Sequence, residues 1–263
     1  MVGAILVTGG ARRIGHAISM SLASNDFHIV IQTRKDDDEV SKIKNEIDSL
    51  GKRCFVVEGN LDDSNSVEKI FDSTVKMLSE YEIPLVGLVN SASMFQWDDP
   101  SNVESHSLVN HYQVNAVAPI LLSKMFYDLS KKISVERQHN LDSCIVNILD
   151  QKLISPHPDH FSYTLSKQAL AGATVMMAKA YAPICRVNSV SPGHVLASPD
   201  QTAEGFAKAQ AESPLGYGPS PSDIGEAVVF LFGAKSITAQ TLVVDAGEHL
   251  LGRLRDVVFE TED

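Results

Sequence analysis

Tyr163 and Lys167 stand four residues apart in FSYTLSKQAL, and Asp150 closes the apolar run CIVNIL ahead of them. A spacing of four puts a phenol and an ammonium on one face of a helix. An ammonium beside a phenol favours phenolate and lowers its pKa from the ordinary value of about 10. A phenol tuned in this way acts as a general acid toward a developing alkoxide or amide anion near neutral pH. A carboxylate beside the same phenol opposes phenolate formation. Asp150 and Lys167 therefore pull Tyr163 in opposite directions, and the three groups are expected to titrate as a coupled set. Taken alone, Asp150 also reads as a turn residue or helix cap, and Tyr-x-x-x-Lys as two solvated helix residues.

The elements that position these residues alternate along the chain. Short β-branched or fully apolar runs predict strands at 2–8, 27–33, 53–57, 85–89, 144–149, 184–190 and 240–245. Helices are expected at 13–24, 38–50, 64–79, 103–132, 161–181 and 222–232, with a short one near 202–211. Val40, Ile43, Ile47 and Leu50 have helical spacing that stops at Gly51. Ser64 is placed to cap a helix whose apolar side is Val67, Ile70, Phe71, Thr74 and Leu78. Strand–helix alternation with fully apolar strands means an α/β protein. The expectation is a Rossmann-type, doubly wound, parallel seven-stranded sheet with helices on both faces. No domain boundary interrupts the pattern, so residues 1–263 read as one domain. Residues 191–221, rich in Pro, Gly and Ser, read as a substrate loop or lid.

With 263 residues and 44% apolar content, the chain is long enough to bury a substantial core. A formal net charge of −11 argues against a nucleic-acid groove and against an anionic membrane surface, both of which need clustered cations. No run approaches the length of a membrane span. MVGAILVTGG lacks a basic stretch, and its apolar run is too short for a signal peptide, so a cytoplasmic protein acting on a small molecule is expected. Cys54, Cys144 and Cys185 form no C-x-x-C and read as reduced core thiols. His157 and His160 have no further ligand cluster beside them; they read as loop histidines, and no metal is expected. Trp97 with Asp98 and Asp99 reads as a mobile pocket edge or an interface, and Met176 and Met177 as core or subunit packing.

TGGARRIG, residues 8–15, joins the first strand to the first helix. Glycines there permit a tight turn, and the helix N-terminus offers amides to a pyrophosphate. The second strand ends IVIQTRK, with Thr33 and Arg34 where an acid would bind a ribose 2′-hydroxyl. Arg12 and Arg34 suit a 2′-phosphate, which favours NADPH over NADH, while Asp36–Asp38 just beyond argue the other way.

Placed in order, these motifs resemble the short-chain dehydrogenase/reductase family along nearly the whole chain. The cofactor turn is matched by Thr8, Gly9, Arg12, Arg13, Ile14 and Gly15. NLD at 60–62 resembles the adenine-side motif, with Asn60 for the usual Asp and Leu61 after it. NSAS at 90–93 resembles the motif after the fourth strand, with Asn90, Ser91 for the second Asn, and Ala92. Asn115, Tyr163 and Lys167 match catalytic positions. RVNSVSPG supplies Pro192 and Gly193 beside the nicotinamide, and AQTLVVDAG carries Ala239 for the usual Gly. Within the family, the pteridine reductases and dihydromonapterin reductase relatives are the most similar. Phe95 falls where an aromatic ring stacks on the pterin, Ser93 where a serine meets cofactor and pterin, and Asp150 where the wider family has serine.

The resemblance implies hydride transfer from NADPH. Lys167 would bind the nicotinamide ribose, Asn115 a water leading to Lys167, Asp150 a substrate-side proton, and Arg13 both phosphate and substrate. His194, next to the Pro-Gly turn, touches substrate or occupies an ordinary loop position. A homotetramer through the long helices is also implied. Two other functions stand beside pteridine reduction. One is an NADPH-dependent carbonyl reductase, such as a 3-oxoacyl thioester reductase. The other is a non-catalytic dinucleotide-binding scaffold, whose mark would be loss of Tyr163 or Lys167.

Overall fold

A computed structural model describes residues 3–137, 142–198 and 201–261. Its centre is a seven-stranded sheet: β1 Ala4–Thr8, β2 His28–Thr33, β3 Cys54–Glu58, β4 Leu85–Asn90, β5 Ser143–Ile148, β6 Cys185–Pro192 and β7 Thr241–Val244. All pairings are parallel, in the order β3-β2-β1-β4-β5-β6-β7. The inner strands are buried on both faces, which is why they read as unbroken apolar runs rather than alternating ones. The helices are α1 Arg13–Ser24, α2 Asp38–Ser49, α3 Ser64–Glu80, α4 Ser105–Tyr112, α5 Ala118–Arg137, α6 Phe161–Tyr181, α7 Ala203–Ala211, α8 Pro221–Gly233 and α9 Val258–Thr261.

Two apolar clusters lie on opposite faces of the sheet. Ile18, Ile43 and Val228 tie α1, α2 and α8 to one face. Ile70, Phe126 and Met177 tie α3, α5 and α6 to the other. The strand order reverses at β1, which lies between β2 and β4, so the carboxyl ends of β1 and β4 open a crevice there. The sequence expectation of a doubly wound Rossmann-type α/β sheet therefore holds strand for strand.

Three local expectations change, and one stretch without any expectation is ordered. The helix expected at 103–132 is two helices, α4 and α5, joined by a π turn at Gln113–Val117. Asn115 lies in that turn, and its side chain is bonded outward to neighbouring segments. β6 runs on to Pro192, so the loop after it starts later than expected. Asp98 is no mobile edge. It is buried and accepts the Ser162 N–H at 3.0 Å and the Ser162 hydroxyl, capping α6 from another segment. Finally, the chain after β7 is folded, through a 3₁₀ turn at Glu248–Leu250 and α9.

Smaller details have simple causes. Ala239, where the resemblance leads one to expect glycine, has φ of 60°, a backbone in which glycine is unstrained. The three cysteines are free and buried. Met177 is core, whereas Met176 faces outward. Among the described residues, no helix is long and apolar enough to cross a membrane.

Candidate active site

β5 delivers Asp150 at its carboxyl end, and the inward side of α6 delivers Tyr163 and Lys167, both buried. The Tyr163 hydroxyl donates to Asp150 Oδ2 at 2.7 Å. Asp150 Oδ1 accepts the Lys152 main-chain N–H at 2.8 Å, so the carboxylate also caps the short 3₁₀ turn that follows it. Lys167 Nζ donates to the Ile148 carbonyl at 2.8 Å and lies 5.7 Å from the centre of the Tyr163 ring. The three expected residues are thus brought together.

Their electrostatics differ from expectation in one respect. Burial, and then the Asp150 charge, push the Tyr163 phenol well above its ordinary pKa. Burial also lowers Lys167 to about 8, although Asp150 draws it back upward. Asp150 itself is raised by burial, against the Tyr163 hydroxyl and the Lys152 N–H and charge. The physical reason is that all three sit where charge is poorly solvated. At neutral pH the phenol is therefore a held proton donor, not a phenolate.

At the opposite end of the crevice, Thr8 Oγ1 accepts the N–H groups of Ser91 and Ala92, each at 3.0 Å, and so locks β1 to the β4 loop. A Cβ on Gly15 would lie 2.2 Å from the Gly9 carbonyl oxygen, so only glycine lets α1 start this close to the turn. The first turn of α1 has no acidic residue and no side-chain cap. That leaves helix amides and a positive dipole end for an anion, and the donor set fits a dinucleotide pyrophosphate. Arg13, next to Ile14, donates to the Ala197 carbonyl at 3.1 Å, spanning from the glycine turn to the segment after β6. Arg12, expected at the phosphate, here pairs with Asp37 and Glu39. Asp37 is also the N-cap of α2. Arg34 is exposed at the end of β2.

Several resemblance positions are committed inside the protein. Asn90 donates to Asn147 at 2.8 Å and to Ser123 at 3.3 Å, stitching β4 to β5 and α5. The Asn115 amide bonds Met94 through both N–H and C=O, Ser93 at 3.2 Å and Ser166 at 3.0 Å. That side chain is saturated, so the expected water on the path to Lys167 is not its side chain's work. Asn60 bonds Asp62 at 2.7 Å, and Leu61 is buried. Gly193, after Pro192, donates to the Val244 carbonyl at 3.0 Å.

Asp150 opens onto a cavity of about 210 Å³ lined also by Arg13, Phe95 and His194. Phe95 is 45% exposed, stacks on His160 at 4.0 Å and meets the Tyr163 ring edge-on at 4.7 Å. His160 is therefore a support for Phe95, more than an ordinary loop histidine. The His194 ring bonds Gln201 at 2.7 Å. The outer wall comes from residues that sequence reasoning did not single out: Lys152, Glu248, Arg253, Asp256 and Val257. Asp159 clasps this segment, accepting from Arg255 at 2.7 and 2.8 Å and from the Asp256 N–H at 2.8 Å. Nothing periodic marks these positions; the one available signal was Glu248, an acid directly behind a motif that ends a strand at the crevice. Among the described residues, no group of three or more His, Cys, Asp and Glu is arranged to hold a metal ion.

A doubly wound parallel sheet, with a glycine turn on its first strand and a phenol–amine pair at its switch-point crevice, defines a dinucleotide-binding oxidoreductase of the α/β class. A family model described as Enoyl-(Acyl carrier protein) reductase matches residues 9–249, and the chain belongs to the short-chain dehydrogenase/reductase family. Dihydromonapterin reductase of Enterobacter sp. (strain 638) is 24% identical over 246 residues, covering 94% of this chain and 96% of that protein. L-xylulose reductase of Caenorhabditis elegans is 30% identical over 254 residues, covering 92% and 94%. Among solved structures, FolM alternative dihydrofolate reductase 1 from Brucella canis, complexed with NADP, is 35% identical. It superposes with a TM-score of 0.83 and covers 94% of each chain. The resemblance to the pteridine-reductase side of the family is thus matched by relatives named dihydromonapterin reductase and alternative dihydrofolate reductase.

Proposed function

We propose that the protein reduces a pteridine, a dihydropterin or dihydrofolate-like molecule, with NADPH. The observation that carries this reading is the Asp150 carboxylate held 2.7 Å from the Tyr163 hydroxyl, open to a cavity that also presents Phe95. A hydroxyl is enough where a ketone oxygen needs one proton. A carboxyl adds a second proton carrier, suited to a ring nitrogen. The NADP complexes of the Brucella relatives support the choice of cofactor.

NADPH, when bound, supplies the hydride. The α1 N-terminal amides and Arg13 hold its phosphates, and Arg34 takes the 2′-phosphate. Thr8, Ser91 and Ala92 shape the floor of that site. Lys167 holds a ribose hydroxyl with the N–H bonds it does not give to Ile148. Tyr163 gives its proton to the reduced atom, and Asp150 replaces or directs that proton through their shared hydrogen bond. Phe95, backed by His160, offers its remaining face to a flat ring, which stacking favours. Ser93 and His194 sit at the rim, and residues 191–221 act as the substrate loop. Assembly as a homotetramer belongs to the same reading, supported by Val175 and Met176, which leave the outer side of α6 apolar and exposed.

The second reading is reduction of a 3-oxoacyl thioester or another ketone, supported by the 30% identity to L-xylulose reductase, which is named for a keto sugar. NADPH oxidation with dihydrobiopterin, dihydromonapterin and an acetoacetyl thioester, run side by side, tests both. Pterin-dependent turnover at least tenfold above the thioester is expected; no pterin turnover sinks the proposal.

A further inference from the structure

Glu248 has no part in the reading above, yet it is built into the cavity wall. It follows β7, and only 6% of the residue is exposed. The turn before it aims it inward. Ala246 and Gly247 both have left-handed backbones, at φ of 53° and 87°. A residue with a Cβ is strained there by about 1–2 kcal/mol. Asp245 holds the turn, accepting the N–H groups of Gly247 at 2.9 Å and His249 at 2.7 Å. Glu248 Oε2 accepts the His194 N–H at 3.1 Å. A Cβ on Gly193 would lie 2.6 Å from Asp245 Cβ and 3.0 Å from that oxygen, so the carboxyl is seated against a glycine.

Oε1 accepts no hydrogen bond from a described residue, while the side chain lines the same cavity as Asp150 and Phe95. The nearby cation does not satisfy it: Arg253 bonds Glu212 at 2.8 Å and also Glu260. Burial raises the carboxyl from 4.5 to about 7, against the pull of the His194 N–H and Arg253. Oε1 therefore faces the cavity, where an arriving N–H donor can meet it.

Resting on the pteridine reading, we propose that Glu248 is a specificity residue that accepts N–H bonds from the amino-substituted edge of the heterocycle. A 2-amino-4-oxo pyrimidine ring presents adjacent N–H donors, and a carboxylate takes such a pair with two oxygens or one. Ketones and thioesters have no such donors. The cavity then holds two carboxyls with separate tasks. Asp150 handles a proton, and Glu248 selects which molecule arrives.

The test is Glu248→Gln, which keeps an oxygen for the His194 N–H and turns the other acceptor into a donor. Oxidised pterin is titrated into the NADP-loaded enzyme by its fluorescence, and kcat and KM are measured for dihydropterin and for a diketone without N–H groups. For E248Q, pterin Kd and KM rise about 10- to 100-fold, as expected for a hydrogen bond to a charged group. The kcat/KM loss on the diketone is at least tenfold smaller, and the affinity for NADPH is kept. An unchanged pterin Kd overturns the proposal. So does an equal loss on both substrates, which would make Glu248 only a prop for the Gly193–His194 turn. If E248Q does not fold, Glu248→Asp, which keeps the charge but withdraws it, must give the same split. Pterin that binds the wild type without turnover refutes the pteridine-reductase reading alone, and Glu248 is still judged on Kd; pterin that does not bind refutes both.

Discussion

Asp150→Asn separates the proton chemistry of the carboxylate from its place in the fold. Asparagine keeps an oxygen for the Lys152 N–H, so the 3₁₀ turn after β5 survives. It removes the charge that, after burial, raises Tyr163 most. For charges about 4 Å apart at an effective dielectric of about 20, that interaction is about 4 kcal/mol. Losing it lets the Tyr163 pKa fall back from its raised position. The tyrosine should then become a more willing acid for an alkoxide, while the second proton carrier is gone. We expect pterin kcat/KM to fall about 100- to 1,000-fold, the usual worth of a general acid. Reduction of a simple diketone should hold or improve, and Asp150→Ser should shift the ratio further toward the ketone. The assay is the pH profile of kcat/KM from pH 5 to 10 for both substrates, in wild type and variants. A pterin rate within twofold of wild type across that range would show that Asp150 does no proton work, and would refute the argument from the 2.7 Å contact.

Three further outcomes follow from the geometry. Phe95→Ala removes a stacking face and should raise the pterin KM about 3- to 10-fold with the KM for NADPH unchanged, matching the about 0.5–1.5 kcal/mol of an aromatic pair. Arg34→Ala should raise the KM for NADPH about tenfold and leave that for NADH in place, whereas Arg12→Ala should do less because Asp37 and Glu39 already occupy its guanidinium. Lys167→Met should abolish turnover yet stabilise the protein without cofactor at pH 7. The amine is lowered from 10.5 to about 8 by burial, so the unfolded chain binds the proton more tightly. That difference amounts to at most about 3 kcal/mol at pH 7 and disappears as pH rises from about 8 to 10.5. Urea unfolding at pH 7 and pH 10 should show the gap between variant and wild type closing.

The sheet was legible because its inner strands are buried on both faces and must be apolar throughout, as in ILVT and IVNI. The Tyr163–Lys167 pair was legible because helical spacing fixes which side chains share a face. What sequence hid was of two kinds. Asn115 had a type and a position but not a geometry: it sits in a π turn with its amide bonded to Met94 and Ser166, and local periodicity carries no trace of that. The outer wall depends on contacts of long range. Asp159 meets Arg255 across nearly a hundred residues, and no periodicity or spacing pairs the two positions. Arg12 shows the same limit from the other side. Its type was right for phosphate, but only the fold reveals that two carboxylates on α2 and its cap claim it first.

The direction of the pKa shifts links these parts into one constraint. Burial disfavours charge on Tyr163, Lys167, Asp150 and Glu248 alike, so the protein alone holds these four groups biased toward neutrality. A substrate that brings only a carbonyl oxygen relieves one of them, through the Tyr163 proton. A substrate that brings a ring nitrogen to protonate and N–H groups to donate relieves Tyr163, Asp150 and Glu248 together. Differential stabilisation of this kind is what separates a preferred substrate from a tolerated one. It also explains why the wall carrying Glu248 is held by buried clasps at Asp159 and Asp245: a carboxyl kept far from its ordinary pKa selects among ligands only if the backbone prevents it from turning out to water.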